Sequence, residues 1–580
     1  MHLSLSTKEA YKDPIEEAPC RAGCPAGVDV PRYCRLIAAG RFDEAIAVIS
    51  EKVPFPAICG YICHHPCESK CRLADIMGTP VAIKALKRFA AHCALKGSKQ
   101  NLNPAPPTGK TVAIIGSGPA GLTAAYHLVK LGHKAAVFEA LPQPGGMLRA
   151  GIPAYRLPRD ILDAEIEDIK KAGVEIKTGT KVESGNSFLE QGYDAVFIAL
   201  GAHRGIKIGI EGEDSPGVMD GLSFLSQVNL GEKPKIGDKV ALVGGGNTAV
   251  DASRVALRLG AKEVTIVYRR SRSEMRANPE EIDQATDEGV RLMFLTIPEK
   301  ITTQNGHLKL ECLHTELGIK DADGRRLPQP IKGSEFAIGL DTVIVAVGQE
   351  PDIPLHQSLP LSQNNTILVD PDTLATPLTG IFAGGDCVSG PASVIDAIAA
   401  GKKAAVSIDK YLGGCGVIEY GLTTPEEMIT AAELDYPVAT ATRHEIPLLS
   451  VTERLNDFAV VELHFQPETA VKEAKRCLKC DLPIVVNAAN CQACRICEMV
   501  CSLRLEKVFS PSKAGIEISP VIRHDGKLDI QISFNDKCDC CGLCVRYCPS
   551  GALSRQGIKC TDEVTGKKYR SLSSRFLTPF

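Results

Sequence analysis

Of all the side chains in this 580-residue chain, its 23 cysteines offer the most chemistry, and they are unevenly spread. Seven lie between Cys20 and Cys71 and eleven between Cys477 and Cys548. In a large chain without a secretion signal, such clustering points to metal rather than disulfides. Cys491, Cys494, Cys497 and Cys501, in NCQACRICEMVCS, are spaced C-x2-C-x2-C-x3-C. Cys538, Cys541, Cys544 and Cys548 repeat that spacing, and Pro549 follows. Two copies in one chain are the pattern of a pair of [4Fe-4S] clusters, in which each fourth cysteine serves the other cluster. One cluster would take Cys491, Cys494, Cys497 and Cys548, the other Cys538, Cys541, Cys544 and Cys501, leaving Cys540 surplus. Zinc seldom needs two complete copies of this spacing.

The N-terminal cysteines are less regular. Cys20 and Cys24 form C-x3-C-P, while Cys59, Cys63, Cys67 and Cys71 recur every fourth residue. His64 and His65 leave zinc as a competing reading, and a four-residue repeat also fits one face of a helix. Pro25 after Cys24 and Pro66 before Cys67 favour a loop wrapped around a cluster. Around these cysteines, PRYCRLIAAGRFDEAIAVISEK and PVAIKALKRFAAHCALK carry apolar residues at helical spacing.

A second kind of chemistry lies in the glycines of the cysteine-poor middle. In VAIIGSGPAG (112–121) a buried strand precedes Gly116, Gly118 and Gly121 in G-x-G-x-x-G register, Pro119 and Ala120 open a helix, and the next strand ends on Glu139. The glycines allow the turn and the approach of backbone to a pyrophosphate. The helix N-terminus faces the phosphates, and the acid accepts hydrogen bonds from a ribose. KVALVGGGNTAVDASRVALRLGA (239–261) repeats the arrangement with Gly244, Gly246 and Ala249, and Asn247 and Thr248 start its helix. Here the following strand ends on Arg269 and Arg270, with Arg276 beyond, instead of an acid. Guanidinium groups bind a 2′-phosphate, so NADP(H) is favoured over NAD(H); a solvated strand end is the bland alternative. GIFAGGDCVSGPASVIDAIAAGKKAA (380–405) reads as a second flavin segment. Gly385 and Asp386 would meet the ribitol chain, and a helix beginning at Ser393 and Val394 would aim its positive end at the isoalloxazine.

These motifs need scaffolds, and the bulk properties allow them. A hydrophobic share of 44% and a charged share of 23% describe a multidomain protein with sizeable cores. A net charge of −3 gives no reason to expect nucleic acid or an anionic membrane as partner. The start, MHLSLSTKEAYKDP, has no apolar signal core, and no apolar run approaches the roughly 18 residues of a membrane span, so a cytoplasmic protein is expected.

The order C-x3-C-P-x-x-V-D-V-P, PFPAICGYIC-x3-C-x3-C, PVAIKALKRF resembles the N-terminal domain of the glutamate synthase small-subunit family. That family includes dihydropyrimidine dehydrogenase and the large subunit of electron-bifurcating transhydrogenase. The resemblance implies two [4Fe-4S] clusters: Cys20 and Cys71 in one, Cys24, Cys63 and Cys67 in the other, with Cys59 at a non-ligand position. It also implies flavin contacts from LPQPGGMLRAGIPAYRLPRDIL, notably Gly146 and Leu148, and from Val182. There are two departures. The family's R-C-L-x-C segment is missing ahead of Cys20, yet EAKRCLKCD occurs at 473–481, so Cys477 and Cys480 are expected to return and complete the first cluster. Lys87 stands where the family often has a Glu or Gln ligand, so the second cluster's fourth ligand is open: Cys34 or Cys59 substitutes, or that cluster is absent.

The expected fold is multidomain α/β. A helical iron–sulfur domain (1–103) precedes a Rossmann-like FAD domain in two segments (108–235 and 351–415), which brackets a Rossmann-like NAD(P) domain (236–350). Residues 416–470 read as a linker of unknown role, 471–482 as the returning CxxC segment, 483–560 as an α+β ferredoxin-like domain and 561–580 as a tail. The paired nucleotide modules resemble the flavoproteins with two dinucleotide-binding domains, some of which use a C-x-x-C dithiol. Residues 236–350 hold only Cys312, so a dithiol route is excluded. The insertion GIEISPVIRHDGKLDIQISF, read as a hairpin, and CRICEMVCSL are similar to iron–sulfur subunits that accompany tungsten-containing aldehyde oxidoreductases. The expected activity is electron transfer between NAD(P)H and a partner redox enzyme or ferredoxin through FAD and three or four [4Fe-4S] clusters, with no catalytic side chain. Alternatives are a glutamate synthase small subunit, an electron-bifurcating NAD(P)H:ferredoxin oxidoreductase and a cluster scaffold without turnover.

Overall fold

The computed structural model describes residues 10–12, 17–94, 104–182, 186–304, 306–321, 324–354, 359–418, 442–482, 484–522, 528–555, 558–561 and 568–571. They fall into two compact units. Met1–Asn101, Glu419–Ile446 and His464–Phe580 bound the first, and Leu102–Ile418 with Pro447–Leu463 bound the second.

The second unit is built on two parallel sheets. In one, the strands run in the order Ile381–Ala383, Ala195–Ile198, Thr111–Ile115, Lys134–Phe138, Glu175–Lys177. In the other, the order is Arg291–Met293, Glu263–Val267, Lys239–Val243, Thr342–Val345, Val218–Asp220. Strands such as Val112–Ile115 and Val240–Val243 are short unbroken apolar runs and are wholly buried, as parallel strands covered on both faces must be. Thr296–Gln304, His307–Lys320, Arg326–Pro330 and Phe336–Leu340 form a separate antiparallel sheet. The chain passes between the two parallel sheets at Arg204–Gly205 and Gln349–Glu350, which pair with each other.

A buried polar cluster joins these two halves. Arg156 sits between Asp251 and Glu281, at 2.5 Å from each. The Tyr155 hydroxyl donates to Asp251 at 3.1 Å, and Arg254 and Arg258 lie over its ring at 4.6 and 4.2 Å. Residues 447–463, read from sequence as part of a linker, are instead built into this unit. Ser450 and Glu453 form a capping box on the helix Val451–Asn456, and the buried Val461 donates its N–H to the Tyr155 carbonyl at 3.0 Å. Residues 419–441 of that stretch lie outside the described residues.

The first unit brings the two ends of the sequence together. Its N-terminal part is helical: Val30–Ala38, Phe42–Ser50, Pro56–Ile62 and Ile83–Ala94. The apolar periodicity over 31–52 is two helices, not one, because Gly40 takes φ +77° between them. Strand Ala10–Lys12 pairs with Ile484–Val486, which pairs in turn with Leu553–Arg555. Glu473, fully buried, accepts from the Ala82 N–H at 2.8 Å and from Arg476 at 2.7 Å, and Arg476 donates to the Pro80 carbonyl at 2.9 Å. Further along, Ile516–Ile522 and Leu528–Phe534 pair antiparallel as their alternation predicts, with the connecting 523–527 outside the described residues.

Candidate functional site: two glycine turns and two groups of buried thiols

At the first turn Gly116 has φ +104°, and a Cβ there would collide with the Ala199 carbonyl oxygen. Gly121 touches the Gly116 carbonyl, whereas a Cβ on Gly118 would enter open space at the N-terminus of the helix Pro119–Lys130. Backbone N–H groups and an open cradle at a helix N-terminus suit a pyrophosphate. Glu139 is buried, and its carboxylate accepts from the Ser117 N–H at 3.0 Å, the Ser117 hydroxyl at 2.5 Å and the Leu141 N–H at 2.8 Å. Ser117 also accepts the Gly145 N–H at 2.9 Å. Ser117, overlooked in the motif, thus ties Glu139 to the loop that carries Gly146 and Leu148. Gly146 has φ +53° and passes against Gly118, Leu148 is buried, and Val182 packs on the core beneath the sheet.

Gly385 (φ +74°) turns the chain into Asp386, whose carboxylate accepts the Ala392 N–H at 3.3 Å. Burial first, and the Asp396 charge second, push the Asp386 carboxyl up to about 6. A capping box of Ser393 and Asp396 opens the helix Val394–Tyr411. Gly401 of that helix lies against the Ala120 carbonyl, so the two flavin segments pack backbone to backbone.

The second turn repeats the design. Gly244 has φ +147° and abuts the Ala346 carbonyl, and Gly246 caps the helix Asn247–Arg258. Asn247 accepts the Asn278 N–H at 3.0 Å, and Thr248 accepts from Gln349 at 3.1 Å. The three arginines separate. Arg269 and Arg276 are exposed, while Arg270 is buried and paired with Asp321 at 2.8 Å. Arg270 therefore props the strand end through Asp321, and the other two side chains stay exposed.

In the first unit, Cys20, Cys34, Cys71, Cys477 and Cys480 line one cavity together with apolar side chains such as Val30, Leu73 and Ile83. The 477–480 loop is curled by Lys479 at φ +53°, whose N–H donates to the Cys477 sulfur at 3.4 Å. Arg35, 2% exposed, donates to both Asp481 carboxylate oxygens at 2.6 Å and holds that loop on its helix. Burial, then the charges of Cys477, Cys480 and Cys71, push the Cys20 thiol well up. Such thiols become thiolates when a metal supplies positive charge. A second group surrounds the buried Lys87: Cys63, Cys59, Cys67 and Cys24 are the charges that act on its ammonium. The chain breaks helix at His65 (φ +48°), between Pro56–Ile62 and Pro66–Ser69, so the four-residue cysteine repeat is not one helix face.

Toward the C-terminus, Cys497 lies within the field of Cys548 and Cys491, and Cys538 within that of Cys540, Cys501 and Cys541. Burial raises Cys497 to about 12 and Cys538 to about 11. The Gly515 N–H donates to the Cys501 sulfur at 3.1 Å. Cys544 and the surplus Cys540 are buried in the same core, and Cys494 is exposed. Every cysteine whose side chain is described, Cys20 through Cys548, is free of disulfides. Among those residues, no three His, Cys, Asp or Glu side chains converge as ligands of a single ion would.

Residues 110–401 match the pyridine nucleotide-disulphide oxidoreductases, and residues 14–99 match dihydropyrimidine dehydrogenase domain II, 4Fe-4S cluster. The chain belongs to the pyridine nucleotide-disulphide oxidoreductase family. Among this oxidoreductase's relatives is the NADP(+)-dependent formate dehydrogenase subunit beta of Moorella thermoacetica, 42% identical over 81% of this chain and 71% of that one. The NADPH-Fe(3+) oxidoreductase subunit beta of Geobacter sulfurreducens is 38% identical over 80% of this chain and 75% of its own. The glutamate synthase [NADPH] small chain of Escherichia coli is 35% identical over 68% and 88% respectively.

This oxidoreductase uses FAD, a pyridine nucleotide and [4Fe-4S] clusters. Its glycine turns, open cradle and sulfur-only donor sets fit those groups. The disulphide for which the family is named has no counterpart in residues 236–350, whose one cysteine is Cys312. Cys312 is buried in the strand His307–Lys320, and burial holds its thiol up at about 12. Among the described residues no helix is long and apolar enough to cross a membrane.

Proposed function

We propose that this oxidoreductase is the NADPH-facing electron-transfer subunit of a larger redox assembly, relaying electrons between NADPH and a partner redox enzyme or ferredoxin in the cytoplasm. The bound groups supply hydride and single-electron chemistry. The chain's residues bind, orient and insulate. Gly116, Gly118, Gly121, Glu139, Gly146, Leu148, Gly385, Asp386 and Val394 hold the flavin. Gly244, Gly246, Asn247 and Thr248 hold the pyridine nucleotide, and Arg269 and Arg276 take its 2′-phosphate.

One cluster rests on Cys20, Cys71, Cys477 and Cys480, and a second on Cys24, Cys63 and Cys67. Two more, in a ferredoxin-like domain, rest on Cys491, Cys494, Cys497 and Cys548 and on Cys538, Cys541, Cys544 and Cys501. The observation that carries this reading is the gathering of cysteines from residues 20–71 and 477–480 around one cavity whose lining holds no His, Asp or Glu. The Cys480 thiol also lies 3.8 Å from the Cys541 carbonyl, which supports a route from that cavity to the C-terminal clusters. One relative is the beta subunit of a formate dehydrogenase, which supports a partner oxidising a small carbon substrate, and another is the beta subunit of an NADPH-Fe(3+) oxidoreductase, which supports electron flow from NADPH outward. A tungsten-dependent aldehyde or formate oxidoreductase fits.

Anaerobic purification with flavin, iron and acid-labile sulfide assays tests the reading. Expected are one flavin and about 12 to 16 irons per chain, at four per cluster. NADPH should bleach the flavin and give low-temperature EPR signals, with NADH far less effective. Zinc in place of iron, or flavin that NADPH leaves oxidised, overturns the reading.

A further inference from the structure

The first cavity holds more sulfur than a cluster requires. A [4Fe-4S] cluster takes four cysteines, and five line this space: Cys20, Cys34, Cys71, Cys477 and Cys480. Cys34 is the odd member. Cys20 lies in the single-turn helix Pro19–Ala22 and Cys71, Cys477 and Cys480 on loops, whereas Cys34 lies in the middle of the nine-residue helix Val30–Ala38 and is 0% exposed. It falls in none of the cysteine motifs. Its neighbour Arg35 grips Asp481, so successive residues of one helix reach the loop that carries Cys477 and Cys480.

We propose that Cys34 is an outer-sphere thiol, a positioning residue that donates its S–H to the Cys477 sulfur and so tunes the cluster held by Cys20, Cys71, Cys477 and Cys480. The inference deepens the cluster reading above and rests on it. A buried cysteine without a metal behaves as a small hydrophobe with a weak S–H donor. Cys34 and Cys477 line the same cavity, and Cys477 already accepts from the Lys479 N–H at 3.4 Å; as a cluster ligand Cys477 is a thiolate, so the proton available between the two sulfurs belongs to Cys34. A hydrogen bond to a ligating thiolate withdraws charge from the sulfur and raises the reduction potential of the centre.

The test compares wild type, Cys34→Ala, Cys34→Ser and Cys480→Ala as full-length anaerobic proteins, by iron and sulfide content and by EPR-monitored redox titration. Cys34→Ala should keep the full iron count while one cluster's midpoint potential shifts to more negative values. Cys34→Ser, which restores a donor, should recover part of that shift. Cys480→Ala should lose about four irons per chain or leave a three-iron signal. Iron loss in Cys34→Ala with retention in Cys480→Ala would make Cys34 a ligand and overturn the proposal. An unchanged set of potentials in Cys34→Ala would make it a bystander and also overturn it. Absence of the cluster from wild type would instead defeat the underlying cluster reading.

Discussion

The unit that binds nucleotides and the unit that gathers thiols solve the same task, holding a redox group, in opposite ways. Each nucleotide turn is one stretch of chain: residues 112–121 in one case and 240–249 in the other, strand, glycines and helix together. A phosphate is met from one side by the N–H groups of one helix terminus, so a local motif suffices. A cubane cluster is surrounded, so its sulfurs come from several directions. The cavity lined by Cys20, Cys71, Cys477 and Cys480 draws on residues more than 400 positions apart. Local sites tolerate remote change; assembled sites depend on every contact that closes the chain onto itself, such as Arg35 with Asp481 and Glu473 with Ala82.

The contrast can be broken most severely at Cys477. Cys477→Ser should remove or cripple one cluster, lowering iron by about four per chain while flavin content stays at wild type. Loss of flavin in the same variant would mean that the two units are not independent. The next largest effect is expected at the joint between the nucleotide halves. Arg156→Met leaves Asp251 and Glu281 buried without their cation, which should cost about 3–5 kcal/mol of stability. Thermal unfolding followed by flavin release reads it, and the iron count should be unmoved.

A third test uses pH. Burial raises the Asp386 carboxyl from its ordinary 3.8 to about 6. Its ionised form is therefore disfavoured in the fold. The cost, on the order of 3 kcal/mol, is fully present above pH 6 and fades as pH falls toward 4. In flavin-free protein, Asp386→Asn should raise the melting temperature at pH 7.5 and change little at pH 4. The smallest effect is expected at Arg269. Arg269→Ser removes a charge-assisted contact of about 1.5–3 kcal/mol, which should raise KM for NADPH roughly 10- to 100-fold and leave KM for NADH unchanged. Arg270→Ser should instead lower stability, because Arg270 is spent on Asp321. A cofactor switch in that variant would reverse the assignment of the two arginines.

Much of the nucleotide unit was legible in the amino-acid order. VAIIGSGPAG and KVALVGGG each announce strand, turn and helix, because buried parallel strands are apolar runs and glycine alone accepts the φ values at residues 116 and 244. What stayed hidden was side-chain partnering. Ser117 under Glu139 has no motif, and three arginines in a row of positions look alike until Arg270 turns inward. The stretch 447–463 was opaque because its role is to cap a joint made by distant residues, Tyr155 among them.

By itself the sequence determined which groups this protein handles. Residue types decide donor chemistry: thiols for iron, glycine turns for phosphate, arginines for a 2′-phosphate. Only the tertiary structure decided which thiols share a space, bringing Cys34, outside every spacing motif, into one cavity with Cys20, Cys71, Cys477 and Cys480. The reason is physical. A spacing motif reports what a few bonded neighbours can do, whereas a cavity is closed by burial and ion pairs between segments that the chain order keeps far apart.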